Sequence, residues 1–109
     1  MVNDLFEALA NPVRRRIVER LAAEPRTVGA ATTGLNVSKP AISRHVRVLE
    51  DAGVVERTVR GRTHLLALNL ATLDEGRDWL DRQHVVWDRL FDAVDDHLSA
   101  QEPTRPARR

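Results

Sequence analysis

The chain has 109 residues and no cysteine. That absence excludes disulfides, thiolate metal sites, iron–sulfur clusters and thiol redox sensing in one step. Aromatic residues make up 4%, too few to suggest the stacking platform that single-stranded nucleic acid uses. No stretch approaches about 18 consecutive apolar residues, and no early segment has the apolar run of a signal peptide. No membrane partner is expected, and the cytoplasm is the predicted compartment. A glycine-rich phosphate loop is missing, as is a supported histidine–carboxylate–serine arrangement. An enzyme is therefore not expected, nor is a cofactor. No internal repeat is visible.

What is present fits one globular domain. Hydrophobic residues are 42% of the chain, enough for a modest core that a partner subunit would help to stabilise. The net charge of +1 hides an uneven distribution. From Ser38 to His64, Lys39, Arg44, Arg47, Arg57, Arg60 and Arg62 stand against Glu50, Asp51 and Glu56. From Thr72 to Glu102, nine acids stand against three arginines. The first region suits a polyanion, and the second should face away from it.

The basic region has a definite layout. Ser38 can cap a helix with its hydroxyl, and Pro40 in the first turn has no N–H to leave unpaired. Gly53 stands where a left-handed residue would end that helix. Ile42, Val46 and Leu49 fall on one face; Lys39, Ser43, Arg44 and Arg47 fall on the others. Val54 to Leu68 then reads as two short β-rich runs around Arg60-Gly61-Arg62, with Gly61 supplying the positive φ of a tight hairpin. Taken alone, the helix is an ordinary amphipathic surface helix. Followed at once by a basic-tipped hairpin, it has the layout of a winged helix-turn-helix.

Upstream, Asn3 is predicted to cap a short helix through Ala10, with Leu5, Phe6 and Leu9 apolar. Asn11-Pro12 starts a second helix, whose stripe is Val13, Ile17 and Leu21 and which ends near Ala23. Arg14, Arg15 and Arg16 read as a solvated run. Thr27 caps a third helix from Val28 to about Leu35, weakened by Gly29, Thr32, Thr33 and Gly34. Residues Gly34 to Val37 supply the turn before Ser38.

Downstream, Thr72 is predicted to cap a long helix through about Ser99, roughly 40 Å at 1.5 Å per residue. Leu73, Leu80, Trp87 and Val94 repeat every seven residues, widened by Leu90, Phe91 and Leu98. A domain this small is not expected to cover such a helix alone. The simplest solution is a twofold homodimer through this helix and the first, with Leu5, Leu73, Leu80, Trp87, Leu90, Phe91 and Val94 at the interface. The alternative is a helix packed along its own domain. Residues 101–109, with two prolines and three arginines, read as a disordered basic tail beyond a single 1–100 domain.

The segment Ser38-Lys39-Pro40-Ala41-Ile42-Ser43-Arg44-His45-Val46, with Leu49 and Ala52-Gly53-Val54-Val55, resembles the recognition helix and wing entry of ArsR-type bacterial repressors. Ala8-Leu9-Ala10-Asn11-Pro12-Val13-Arg14-Arg15-Arg16-Ile17 resembles that family's first two helices. The likeness runs from about Leu5 to Leu98. It implies a mainly α winged helix-turn-helix with a small hairpin. It also implies a homodimeric repressor that binds an inverted repeat in double-stranded DNA and releases it on a signal. The third-helix segment departs from the acidic, leucine-rich pattern of the family.

On this reading, Ser38 and Lys39 sit at the positive helix N-terminus, suited to a phosphate. Ser43 and Arg44 lie one turn in, where arginine can grip guanine O6 and N7. Arg47 is placed for backbone or base-edge contacts, and Arg60 and Arg62 at the hairpin tip for phosphate or the minor groove. His45 is open between a phosphate contact and a half-buried position. Arg57 is a weaker candidate, and His64 is expected to pack inward. The family's third-helix metal sites use cysteines, which are absent. Its last-helix spacing of ligands is absent too, although His84 and Asp88 share a face. No metal is assigned. A metal-responsive repressor with a non-standard last-helix site and a protein-interaction module are the alternatives. Regulation is left open between a small-molecule inducer, a partner and abundance alone.

Overall fold

The structure is a computed structural model that describes residues 2–101. Its elements are α1 (Val2–Ala8), α2 (Pro12–Ala23), β1 (Arg26–Thr27), α3 (Val28–Thr32), α4 (Lys39–Asp51), β2 (Val55–Arg60), β3 (Thr63–Leu68) and α5 (Leu70–Gln101). The predicted tail lies outside the described residues, apart from Gln101 at the end of α5. Two compact units divide the chain, Met1–Gly76 and Arg77–Arg109, with the boundary inside α5.

Local chemistry places most helix starts. The Asn11 side chain accepts from the Val13 and Arg14 N–H groups at 2.8 and 3.2 Å, with Pro12 opening α2. Thr27 accepts from Ala30 N–H at 3.1 Å, and Ser38 from Ala41 N–H at 3.3 Å. Two predicted caps are corrected. Asn3 lies inside α1, which begins at Val2 and stops at Ala8 rather than Ala10. Asn69, not Thr72, caps α5: its side-chain oxygen accepts from the Ala71 and Thr72 N–H groups at 3.1 and 3.4 Å. Asparagine is the better cap of the two, and it directly follows the strand.

The third helix is shorter than its predicted Leu35 end. α3 stops at Thr32, where the Thr32 and Thr33 hydroxyls donate to the carbonyls of Val28 and Gly29 at 2.7 and 2.6 Å. Such bonds draw the backbone out of a regular helix. Gly34 and Asn36, at φ +75° and +58°, then turn the chain toward Ser38.

The end of α4 is a Schellman motif. Gly53, at φ +73°, donates to Glu50 O, and Val54 donates to Leu49 O, both at 2.9 Å. The apolar contact that accompanies the motif is supplied by Leu49 and Val54, both fully buried. The same few residues therefore end the helix, fill the core and launch β2.

The sheet is antiparallel with strand order β1-β3-β2. β2 and β3 pair from Val55↔Leu68 to Arg60↔Thr63, leaving Gly61 (φ +61°) and Arg62 as the two-residue turn. β1 adds a third, two-residue strand, Arg26↔Leu66 and Thr27↔Leu65, that the sequence pattern does not reveal. The core of the first unit is Leu5, Ala8, Ile17, Leu21, Ala31, Val46, Leu49, Val54, Val55 and Leu66. Burying each large aliphatic side chain there contributes roughly 1.5–3 kcal/mol.

Leu5 corrects one predicted interface residue. At 2% exposure it is already covered within its own unit and has no surface to offer a partner. Its side chain lies so close to Gly76 in the first turns of α5 that a Cβ there would collide with Leu5 Cδ2. A glycine in a helix interior is otherwise unfavourable, so close approach is its reason. Leu73 is half-buried against the same core. In the second unit, Leu80 (44% exposed), Trp87, Leu90, Phe91 and Val94 remain exposed along α5.

Candidate nucleic-acid interface

Helix α4 is held from behind and open in front. Val46 and Leu49 are buried, while Ser38, Lys39, Ser43, Arg44 and Arg47 are exposed. At the start, the Ser38 hydroxyl accepts from the Ala41 N–H and its carbonyl from the Ile42 N–H, Pro40 has no N–H, and the helix end carries partial positive charge. Arg44 and Lys39 form no hydrogen bond or ion pair among the described residues. Arg47 makes a loose pair with Asp51 at 3.9 Å, with 82% of its side chain exposed. Such a solvated pair holds a side chain weakly.

The hairpin contributes the second group. Arg60 and Arg62 are exposed at its tip and, among the described residues, likewise form no hydrogen bond or ion pair. An open groove lined by Ser43, Arg44, Arg47, Glu50, Asp51 and Arg57 runs between α4 and β2. A second, lined by Thr27, Val28, Gly29, Arg57, Arg62, Thr63 and His64, lies on the other side of the hairpin.

Three basic or titratable residues, Arg57, His64 and His45, have internal partners. Arg57 is engaged through all three of its nitrogens: its Nε and Nη2 donate to the two carboxylate oxygens of Glu50 at 3.2 and 2.7 Å. Its Nη1 donates to His64 Nδ1 at 3.0 Å. The hydrogen bonds that Arg57 donates to Glu50, with the carboxylate's charge, raise the Arg57 pKa above its ordinary value, against partial burial. His64 is thus exposed on the sheet face it shares with Arg57 rather than packed inward. His45 is half-buried, and its Nδ1 accepts from Arg14 Nη1 at 3.2 Å. A guanidinium only donates, so Nδ1 must be the acceptor, and the neutral ring carries its proton on Nε2. Burial, with Arg14 and Arg44 nearby, pushes the His45 pKa below its usual value.

The arginine run of α2 is not simply solvated. Arg14 donates to the carbonyls of Ala8 (2.6 Å) and Glu7 (3.3 Å), and Arg15 to that of Leu9 (2.8 Å). These carbonyls lie at the end of α1 and in the turn that follows it, where helix-internal donors run out. Arg20 does the same for Thr33 O at 2.6 Å after α3, and Arg26 for Arg20 O at 2.9 Å in α2. Only Arg16, loosely paired with Glu19, fits the solvated reading. Several of the chain's cations therefore close helix C-termini, where positive charge is favoured.

On α5, His84 Nε2 and Asp88 Oδ2 are 3.3 Å apart on the exposed surface. No group of three potential metal ligands occurs among the described residues. No helix among them is long and apolar enough to cross a membrane.

Residues 9–58 match the family described as a helix-turn-helix domain. The transcriptional repressor SdpR of Bacillus subtilis is 32% identical over 79 residues, covering 72% of this chain and 88% of that protein. The HTH-type transcriptional regulator Rv2034 of Mycobacterium tuberculosis is 42% identical over 86 residues, 79% of this chain and 78% of that one. The crystal structure of the ArsR family transcriptional regulator RHA00566 superposes with a TM-score of 0.74 at 30% identity, covering 79% of this chain and 94% of the other.

The chain belongs to the ArsR family.

It is accordingly a winged helix-turn-helix transcriptional regulator that acts on double-stranded DNA, and not an enzyme. The β2–β3 hairpin is the wing of that fold, and α2, α3 and α4 lie within the residues matched to the helix-turn-helix domain. An ArsR-like regulator from Rhodococcus sp. RHA1 has the same fold over 87% of this chain, with a TM-score of 0.71 and 28% identity. That span takes in most of the chain.

Proposed function

We propose that this ArsR family member is a cytoplasmic repressor that binds an inverted-repeat operator as a homodimer. In this reading residues 1–100 form one DNA-binding and dimerisation domain. Ser38 and Lys39 engage a phosphate at the N-terminus of α4, Ser43 and Arg44 reach base edges in the major groove, and Arg47 follows the backbone. Arg60 and Arg62 grip phosphate or the adjacent minor groove. His45 offers its outward Nε2–H as a weaker hydrogen-bond donor. The dimer forms through the exposed stripe of α5, Leu80, Trp87, Leu90, Phe91 and Val94, with Leu73 at its inner end. Its two α4 helices would lie about 34–36 Å apart, one helical turn of DNA.

The observation that supports this most directly is the set of unpaired cations. Lys39, Arg44, Arg60 and Arg62 are the exposed arginine and lysine side chains of α4 and the wing that have no internal partner among the described residues. Releasing them from water to phosphate requires no internal bond to be broken.

Selection of bound sequences from random duplexes, with and without divalent metal, tests the reading. The expected product is an inverted repeat, unchanged by metal, bound with an affinity that falls linearly with salt on a log–log scale. Recovery of no preferred duplex at low ionic strength would contradict it, and would favour a protein-docking winged helix. An inverted repeat lost only in the presence of metal would point to a metal-responsive repressor using His84 and Asp88.

A further inference from the structure

We infer that Arg57 does not contact DNA but is a positioning residue, clamped by Glu50 and His64 so that the wing is held at a fixed offset from α4. The inference deepens the operator-binding reading and rests on it.

By charge and location Arg57 looks like another phosphate contact. It lines both grooves, beside Arg44 and Arg47 on one side and Arg62 on the other. Its geometry says otherwise. Each of its three guanidinium nitrogens already has a partner: Nε and Nη2 on Glu50, Nη1 on His64. The two-pronged pairing with a carboxylate is the strongest geometry available to arginine. Both side chains keep only 29% exposure, against 82% and 74% for the loose Arg47–Asp51 pair. A phosphate could reach only the two N–H groups left over on Nη1 and Nη2, and would lie beside the Glu50 carboxylate, whose charge repels it.

The three residues come from three elements. Glu50 is in the last turn of α4, Arg57 in β2, and His64 in β3 on the same sheet face. Beyond them, β2 and β3 run to the tip with no described internal bonds from Arg60 or Arg62. The hairpin's buried anchor is at its base, at Val55 and Leu66. Arg57 pairs directly with Leu66, and His64 lies one step nearer the tip opposite Val59, so the cross-link extends the anchor toward the tip and resists splaying of the strands from α4. Glu50 also removes one positive charge from between the two grooves, where Arg44, Arg47 and Arg62 would otherwise repel an unpaired Arg57.

A phosphate contact and a brace predict opposite signs. Removing Glu50 removes a negative charge from the DNA-facing side, so charge alone makes Glu50→Ala bind DNA more tightly. The brace makes it bind the selected operator about five- to tenfold more weakly, the range expected when one member of a coupled pair is lost. Lysine would preserve a phosphate contact but cannot form the fork. Arg57→Lys should therefore lose as much operator affinity as Arg57→Ala, and the Glu50→Ala/Arg57→Ala double variant no more than either single change. The salt slope of Arg57→Ala should match that of the wild type, since no phosphate contact is lost.

Operator titrations at several salt concentrations read all of these, with thermal unfolding of each variant as a check that it is folded. If Glu50→Ala does not fold, Glu50→Gln, which keeps one acceptor, replaces it with the same expected sign. Tighter binding by the Glu50 variant, rescue by lysine, or a slope smaller by about 0.9 in Arg57→Ala would each overturn the inference while leaving operator binding intact. A wild type indifferent to every duplex would instead defeat the operator-binding reading, and this inference with it.

Discussion

Helices α4 and α5 are both amphipathic, yet the molecule treats them in opposite ways. In α4, 13 residues long, the apolar stripe is enclosed: Val46 is 1% exposed and Leu49 fully buried. The cationic side is left outward. In α5, 32 residues long, the apolar stripe beyond Gly76 is exposed, with Leu90 at 58%, and the remaining surface is acidic. A helix whose apolar face is covered by its own domain has a fixed direction, and can carry a pattern of polar groups to be read. A helix whose apolar face is uncovered has an unmet demand for contact. The first is suited to specificity and the second to association. Their signs of charge sort the polyanion to the first.

The contrast is open to direct attack. The largest effect is expected from Trp87→Asp, which places a charge in the uncovered stripe of α5. It should split the dimer and thereby abolish operator binding, and sedimentation showing an intact dimer would remove α5 from the interface. Arg44→Ala tests the outward side of α4. It should cost on the order of 1–3 kcal/mol of operator affinity and relax base preference at one position; unchanged affinity for the selected sequence would show that base reading lies elsewhere.

Gly76→Ala separates the part of α5 that is packed from the part that is not. Alanine favours a helix by up to about 1 kcal/mol, but overpacking against Leu5 costs about 1–3 kcal/mol. The sum should lower the thermal midpoint, whereas the same added methyl at an open helix position would raise it. Arg60→Ala is a smaller change on the DNA-facing side. It should weaken binding to all sequences alike and make the log–log salt slope shallower by about 0.9. A loss confined to the operator would contradict a phosphate role.

The smallest effect concerns the back of α4. The His45 pKa is depressed in the folded chain, first by burial and then by Arg14 and Arg44. The folded state therefore binds its proton less readily than the unfolded state. The associated stability is present above the unfolded value, about 6.5, and is lost as pH falls through the lower folded value. Denaturant midpoints should decline with pH across that window, and His45→Gln should flatten the decline. An unaltered pH profile in the variant would assign the acid sensitivity to other groups.

Some of this organisation was legible in the chain before any fold was known. Asn11-Pro12, Thr27, Ser38, Gly53 and Gly61 each fall where their local chemistry says, because a cap or a left-handed turn involves only residues two to four apart. The stripes of α2 and α4 are legible for the same reason, as helical periodicity is local. The errors share a different character. Arg14 and Arg15 read as solvated because their acceptors, the carbonyls of Glu7, Ala8 and Leu9, lie at the end of α1 and in the turn after it, outside their own helix. His64 looked inward because alternation along one strand does not show that Arg57 waits on the next. Leu5 looked like interface because its cover, the start of α5, is about 70 residues away. Strand β1 is two residues long, too short for any period.

Neighbours along the backbone thus suffice to place the starts of α2, α3 and α4, the stop of α4, the apolar faces and the basic region, because each depends on residues a few positions apart. Which cations are already engaged and which are left over emerges only on folding. Arg14, Arg15, Arg20, Arg26 and Arg57 are bound to groups outside their own helix turn or strand register, six or more residues away; Lys39, Arg44, Arg60 and Arg62 have no such partner among the described residues. An arginine's identity is written in one position, but whether it is free depends on what folding brings within about 3 Å of its nitrogens.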